Sequence, residues 1–412
     1  MLKYIHFREG ASSMLRSDLL LTAFLIFTSL GCRAGRSAIT YAASSTTPAT
    51  IEAQSGGEGL FLNGFFPIGV FSQPQDSFAK WKSRGINTIL ETPQGHDPVS
   101  WDRAAQSARL YIIRRPLKDP RQDIGRKDLL AWSHWDEPDA AGRIAEWTPM
   151  FERTAKDWRA IDPNRKIFIN FAGPDLSWFT TRSDAYSKDY ASYYPRLLAT
   201  ADWIANDLYP SGGWLNQAHA PRRGDITLIG EPIRILRGMT QKPQFAFIEA
   251  SEIERGNVEG ARYPTMAEFK AQIWYALIQG VRGLFYFPAV VGKGGFRFDG
   301  SPPEIVEVMT QQNTLIAKIA PLLQAEINPM GFSAEAPSGI AAGWRKNGRN
   351  LLYIFVNTSR SPVNGARIKV NGLGRVKDGI SLSANSPVTI SGGVLHESFE
   401  PLGVRVIQFS LP

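Results

Sequence analysis

The chain has 412 residues, 43% hydrophobic and 20% charged, a composition that excludes disordered and collagen-like proteins and leaves room for a large core. Its formal charge of +8 is unevenly placed: residues 1–50 hold five basic and two acidic groups, 51–330 hold 32 of each, and 331–412 hold nine and four. The neutral centre argues against a nucleic-acid footprint on the main body, while one cysteine and five histidines without HxH or HExxH spacing argue against disulfides, zinc–thiolate clusters and a histidine-built metal site.

Lys3, Arg8 and Arg16 precede an apolar run over residues 19–31, which is short for a membrane span and of the length of a secretory signal. Cys32 follows directly. Ser29-Leu30-Gly31-Cys32 resembles the lipobox of bacterial lipoproteins with its first two positions interchanged. The resemblance implies a signal peptide over 1–31, a lipid on Cys32 and a protein held in the cell envelope. Cleavage near Tyr41-Ala42-Ala43, giving a secreted protein, is the alternative. The Ser/Thr/Ala/Gly-rich stretch that follows, 32–58, has the composition of a tether.

From residue 59 to 330, short β-branched or aromatic runs alternate with segments of helical period, the pattern of a parallel α/β domain. Strands are expected over 66–71, 86–91, 110–114, 130–136, 166–171, 203–208, 244–249 and 283–287. Helices are expected over 76–84, 99–108, 140–160, 187–200, 231–237, 266–279 and 305–324. Thr265-Met266-Ala267-Glu268 has the spacing of a capping box, and the link between the third and fourth strands has room for a single helical turn. Eight strands in βα alternation fit a (β/α)8 TIM barrel; without a GxGxxG after an early strand, a dinucleotide-binding sheet lacks its phosphate turn. Residues 331–412 change texture, with short alternating runs parted by Asn-Gly, Ser-Pro and Gly-Gly turns, and read as a small all-β sandwich.

In a barrel of this type the chemistry lies at the C-terminal ends of the strands. The polar residues there are Glu91 after strand two, Arg114-Arg115 after three, His134 to Asp139 after four, Asn170 after five, Asn206 to Tyr209 after six and Glu249 to Ser251 after seven. Glu137, in Trp135-Asp136-Glu137-Pro138, and Glu249, in Phe247-Ile248-Glu249-Ala250, each close an apolar strand. This arrangement resembles the retaining glycoside hydrolases of clan GH-A, whose acid/base glutamate follows strand four, usually as Asn-Glu-Pro, and whose nucleophile follows strand seven. The resemblance spans about two thirds of the chain. It implies Glu137 as general acid/base, Glu249 as nucleophile, and Tyr209 as hydrogen-bond partner of the nucleophile. Asp136 stands where the clan has Asn, a departure that puts an ionisable acceptor beside the acid/base.

The residues support the same chemistry. Two carboxyl groups across a barrel mouth can lie about 5–5.5 Å apart, one kept protonated to assist the leaving oxygen and the other ionised to attack. Asp136, Trp135, Tyr209, Asn170, Arg114 and Trp214 are the candidate substrate contacts, with Arg115, Glu91, Trp178 and Phe287 behind them. His134 points away from Trp135 by strand alternation and reads as packing, and Asp139 reads as a helix cap. No metal or organic cofactor is expected, and the expected partner is a carbohydrate. A non-catalytic carbohydrate-binding lipoprotein on a degenerate barrel and an inverting hydrolase are the alternatives.

Overall fold

A computed structural model describes residues 64–292 and 295–412. The signal, tether and Cys32 readings lie outside the described residues. Seven strands follow in order: β1 (Ile68–Phe71), β2 (Thr88–Leu90), β3 (Tyr111–Arg114), β4 (Leu129–Ser133), β5 (Lys166–Ala172), β6 (Trp203–Asp207) and β7 (Gln244–Glu249). After a short β8 (Ile253–Arg255), β9 (Leu284–Phe287) pairs in parallel with both β7 and β1 and closes the barrel. The eight barrel strands are those expected from the hydrophobic runs. Several ends differ because polar residues such as Trp135-Asp136 leave the ladder for the mouth.

Alternation along these short strands sorts side chains inward and outward. Phe168, Phe245 and Phe285 meet inside, with ring centroids 5.3–6.1 Å apart. Gly69 makes room for them: a β-carbon there would lie 2.4 Å from the Phe285 ring. The aromatic floor fills the barrel, so any ligand is confined to the mouth. The outward set, including Ile68, Val70, Ile89, Ile248 and Leu284, packs under the helices.

Those helices are α1 (Phe78–Ser83), α2 (Pro98–Ser107), α3 (Ile144–Ile161), α4 (Gly173–Thr180), α5 (Ala185–Ala191), α6 (Tyr194–Thr200), α7 (Gly230–Met239), α8 (Met266–Ile278), α9 (Pro303–Lys318) and α10 (Ala320–Leu323). The β3–β4 link holds the single expected turn, Pro120–Asp123. Thr265 and Glu268 form the reciprocal capping box on α8. The expected helix over 187–200 is broken in two, because Pro195 belongs to a new first turn and has no N–H for a continuing helix. Pro321 divides the 305–324 segment in the same way. Helix α4 has no counterpart in the hydrophobic pattern; Gly173-Pro174 reads as a loop but opens a helix directly from β5.

Beyond β10 (Val291–Gly292), which pairs with β8, lies a nine-stranded antiparallel sheet: β11 (Glu326–Ile327), β12 (Ser333–Glu335), β13 (Ile340–Asn347), β14 (Asn350–Asn357), β15 (Val363–Asn371), β16 (Asp378–Ser381), β17 (Ser386–Ser391), β18 (Val394–Phe399) and β19 (Val404–Ser410). Its order is β11-β13-β14-β19-β16-β17-β18-β15-β12. Strands β14 and β15 are distant in that order yet share one core, formed by Tyr353 and Phe355 with Ile368, Val370 and Leu395, so the sheet folds over on itself. The other face of β14, Leu352, Ile354 and Val356, joins the core of the barrel helices. Each of these side chains contributes about 1.5–3 kcal/mol on burial, enough to dock the β-domain firmly. Arg345 crosses the junction and donates to the Leu277 carbonyl at the end of α8 at 2.6 Å.

Candidate active site

Glu249 shares the inward alternation of Phe245 and Phe247, which sends its side chain to the top of the barrel. There the segment after β6 covers it. The Ser211 amide donates to both carboxylate oxygens at 2.8 and 3.0 Å, the Gly212 amide donates at 2.9 Å, and the Gln272 side-chain amide, from α8, donates at 2.7 Å. The residue is 0% exposed. Burial raises its carboxyl to about 7, while the hydrogen bonds from Ser211, Gln272 and Gly212 hold it from rising further.

Glu137 lies across the mouth on the turn after β4. It is also buried, its amide donates to the Asn170 carbonyl at 3.1 Å, and its backbone takes a left-handed φ of +47°. Glu91, ending β2, does the same at +56°. Left-handed backbone at a residue other than glycine is a strained conformation that the surrounding fold must hold in place, and such residues gather at functional sites. Ser133 donates to Glu91, Arg115 faces it at 3.8 Å, and burial raises the Glu91 carboxyl to about 8 against the pull of Arg115. Asn170 donates to Asp136 at 2.9 Å, while its own buried Oδ1 has no partner among the described residues. Tyr209 is hydrogen-bonded to Asp207; burial pushes its phenol well up, and the carboxylates of Asp207, Glu137 and Asp136 add to the shift. Glu91, Arg115, Ser133, Asp136, Asn170, Glu137, Asp207 and Tyr209 thus form one polar arc over β2 to β6.

Other expected site residues fall elsewhere. Arg114 is corrected from substrate contact to structural ion pair. All five of its N–H donors are engaged by Asp102, Asp123 and the Arg115 carbonyl, on the helix side of β3. Strand alternation gives the reason: Arg115, one residue on, faces the mouth. The Tyr209 hydroxyl pairs with Asp207, whereas Glu249 takes its hydrogen bonds from backbone amides and Gln272. Asp139 is no cap; its carboxylate accepts from the Ala172 amide at 2.9 Å and the Tyr194 hydroxyl at 3.0 Å. His134 is packing, with its ring 4.4 Å from Phe151 and 5.1 Å from Trp158, and burial lowers it to about 3. Trp135 carries the Arg115 guanidinium over its ring at 3.9 Å. Trp178 lies on α4 under Arg182. Trp214, partly exposed, meets Tyr209 and Phe287 at 6.0 and 5.5 Å.

Sequence reasoning missed Asp207 as a site residue, although it shares the inward alternation of Trp203. It read the loop Ser211-Gly212-Gly213-Trp214 as shaping one end of a cleft, but missed Ser211 and Gly212 as amide donors to Glu249, and missed Gln272. Backbone amides carry no sequence signal, and a glutamine inside a helix reads as surface.

No protein-family model and no curated protein matches the sequence. Solved structures do. A candidate α-galactosidase/melibiase from Bacteroides fragilis aligns over 85% of this chain and 80% of its own, with TM-score 0.51 and 12% identity. A GH27 β-L-arabinopyranosidase from Geobacillus stearothermophilus aligns over 84% and 97%, with TM-score 0.47 and 11% identity. A GH30 endoxylanase from Clostridium papyrosolvens aligns over 84% and 96%, with TM-score 0.46 and 10% identity. The chain shares the fold of the first of these. At 12% identity the first likeness establishes the architecture, a barrel followed by a β-domain, and leaves the chemistry to the residues at the mouth.

Proposed function

We propose that the chain is an exported glycoside hydrolase that cleaves O-glycosidic bonds by retaining double displacement, with Glu137 as acid/base and Glu249 as nucleophile. The observation that carries this reading is a pair of buried glutamates, one on the turn after β4 and one ending β7, on a closed barrel and beside a polar arc suited to hydroxyl-rich ligands. Glu137 passes its proton to the glycosidic oxygen as the C–O bond breaks, and a Glu249 oxygen attacks the anomeric carbon. The lost charge on Glu249 then lets Glu137 take a proton from water, which attacks the ester, frees the sugar and restores Glu249. A carboxyl raised to about 7 supplies its ionised form in useful amount at and above neutrality. Both its oxygens are hydrogen-bonded, so attack requires one amide on residues 211–212 to give way. Export with lipid attachment at Cys32 belongs to the same proposal and is tested by mass spectrometry of the mature N-terminus; an intact Met1 on exported protein would refute it.

The test of turnover is reducing-sugar release from a panel of oligosaccharides by wild type and Glu249→Ala. Loss of all release in the variant supports the assignment, and unchanged release sinks it. Proton NMR of the first anomer released separates retention from inversion. One observation favours a second reading. Glu249 is sealed by four hydrogen bonds, as a structural carboxylate would be, which suits a carbohydrate-binding protein on a degenerate barrel. That protein would bind members of the panel and release nothing.

A further inference from the structure

The segment that seals Glu249 hangs from the β-domain. The Pro210 carbonyl accepts from the Gly224 amide at 2.8 Å, the Ser211 carbonyl accepts from the Arg262 amide at 3.1 Å, and the Gly212 carbonyl accepts from the Arg223 guanidinium. The residues that present amides to Glu249 are therefore held from behind by 223, 224 and 262.

Two of those three holders are tied to Glu268, Arg262 directly and Gly224 through Arg360. Arg262 grips its carboxylate with two hydrogen bonds of 2.7 Å, and Arg360, from the turn between β14 and β15, donates to the same carboxylate and to the Gly224 carbonyl at 2.9 Å. Glu268 is fully buried, yet its carboxyl falls to about 2, because Arg262, the Thr265 amide and Arg360 outweigh desolvation. Gln272, one helical turn along α8, donates to Glu249 at 2.7 Å, so one helix face carries both the anchor and a contact to the carboxylate. The Arg360 turn is itself braced. Buried Asn357 donates to the Ser361 and Glu400 carbonyls at 2.8 and 2.9 Å and accepts from the Ser359 amide at 3.0 Å. Gly224 fits the junction because its φ is +83° and a β-carbon would lie 2.6 Å from Arg360 Nη2.

We infer that Arg360 is a positioning residue for Glu249: through Glu268 and Gly224 the β-domain fixes the segment whose amides hold the carboxylate. Arg360 touches neither Glu249 nor the mouth; its side chain is 58% exposed, and its removal leaves Glu268 paired with Arg262. The consequence for turnover rests on Glu249 being the nucleophile. The positional claim does not.

The test uses the full chain as wild type, Arg360→Ala, Arg360→Lys and Gly224→Ala, labelled with a water-soluble carbodiimide and glycine ethyl ester and mapped by peptide mass spectrometry. Hydrogen exchange of the peptide covering residues 210–213 is followed in parallel. Glu249 is expected to resist labelling in the wild type and to label about tenfold faster in Arg360→Ala and Gly224→Ala, with faster exchange over 210–213; the melting temperature changes little in Arg360→Ala and falls in Gly224→Ala, where an alanine is strained at positive φ. Arg360→Lys, which keeps a cation on Glu268, restores most of the protection. On a glycan that the wild type cleaves, Arg360→Ala lowers kcat about tenfold and leaves KM in place. Unchanged labelling and exchange in both variants overturns the inference, as does a rise in KM at constant kcat. A wild type that cleaves nothing in the panel refutes the glycosidase reading alone, since labelling still decides the position of Glu249.

Discussion

The two sides of the barrel mouth are built on different principles. On the β7 side a single carboxylate, Glu249, is sealed by backbone amides and one glutamine, and its hydrogen bonds are complete within the protein. On the β2 to β6 side, side chains meet side chains: Glu91 with Ser133 and Arg115, Asp136 with Asn170, and Tyr209 with Asp207, with the Asn170 Oδ1 left unpaired. Among the described residues, buried side-chain atoms without a partner occur on both sides, Asn170 Oδ1 on one and Ser211 Oγ and Gln272 Oε1 on the other, each at a cost of about 1–3 kcal/mol. The contrast is one of construction: one side fixes a single carboxylate through the backbone, and the other is a network of side chains.

The largest test of the contrast compares the two glutamates. Glu137→Gln removes the transferable proton and keeps the shape, and turnover of a sugar with a poor leaving group is expected to fall about 10²–10⁴-fold. A sugar with a good leaving group needs no proton and is expected to lose far less in its first step. Glu249→Gln stops both substrates. Equal losses for both leaving groups in Glu137→Gln would remove its acid role.

Next in size is the paired-arginine comparison. Arg114→Ala leaves Asp102 and Asp123 buried and short of a partner, and is expected to destabilise the fold by about 3–5 kcal/mol in denaturant titration. Arg115→Ala loses a half-exposed contact to Glu91 and the Trp135 stack, at about 1 kcal/mol or less, while weakening sugar binding. The reverse pattern would return Arg114 to the mouth.

The arc also carries a pH signature. Glu91 moves from 4.5 to about 8 on folding, so the folded chain binds the proton more tightly than the unfolded one. Its contribution to stability is fully present below pH 4.5 and is lost as the pH rises to about 8. Glu249 acts in the same direction up to about 7. Glu91→Gln is expected to flatten the decline of unfolding free energy between these limits, by about 5 kcal/mol at most. An unchanged slope would mean that Glu91 titrates normally.

Much of this was legible in the sequence because strand count and strand-end chemistry depend on local patterns. The run 244–249 predicts β7 residue for residue, and Glu137 and Glu249 follow from counting strands. Arg114 was misjudged because two adjacent strand-end residues face opposite ways, and a shift of one residue in register exchanges their roles. The loop 211–214 was legible as one wall of the cleft, but the hold of Ser211, Gly212 and Gln272 on Glu249 was not, because a carboxylate held by backbone amides depends on the path of a loop. Helix α4 was missed because Gly-Pro marks a turn and a helix start equally well.

The smallest expected effect falls on Trp214, which links the two sides. It follows the sealing segment, its indole N–H donates to Glu254 at 3.3 Å, and its ring edges onto Phe287. The ring is partly exposed, and an indole there can pack on the C–H face of a sugar, a contact that serves ground state and transition state alike. Trp214→Ala is therefore expected to raise KM about tenfold with kcat nearly unchanged, and Trp214→Phe to recover most of the loss. A fall in kcat instead would mean that the tryptophan holds the cover over Glu249, and that recognition and sealing share one element.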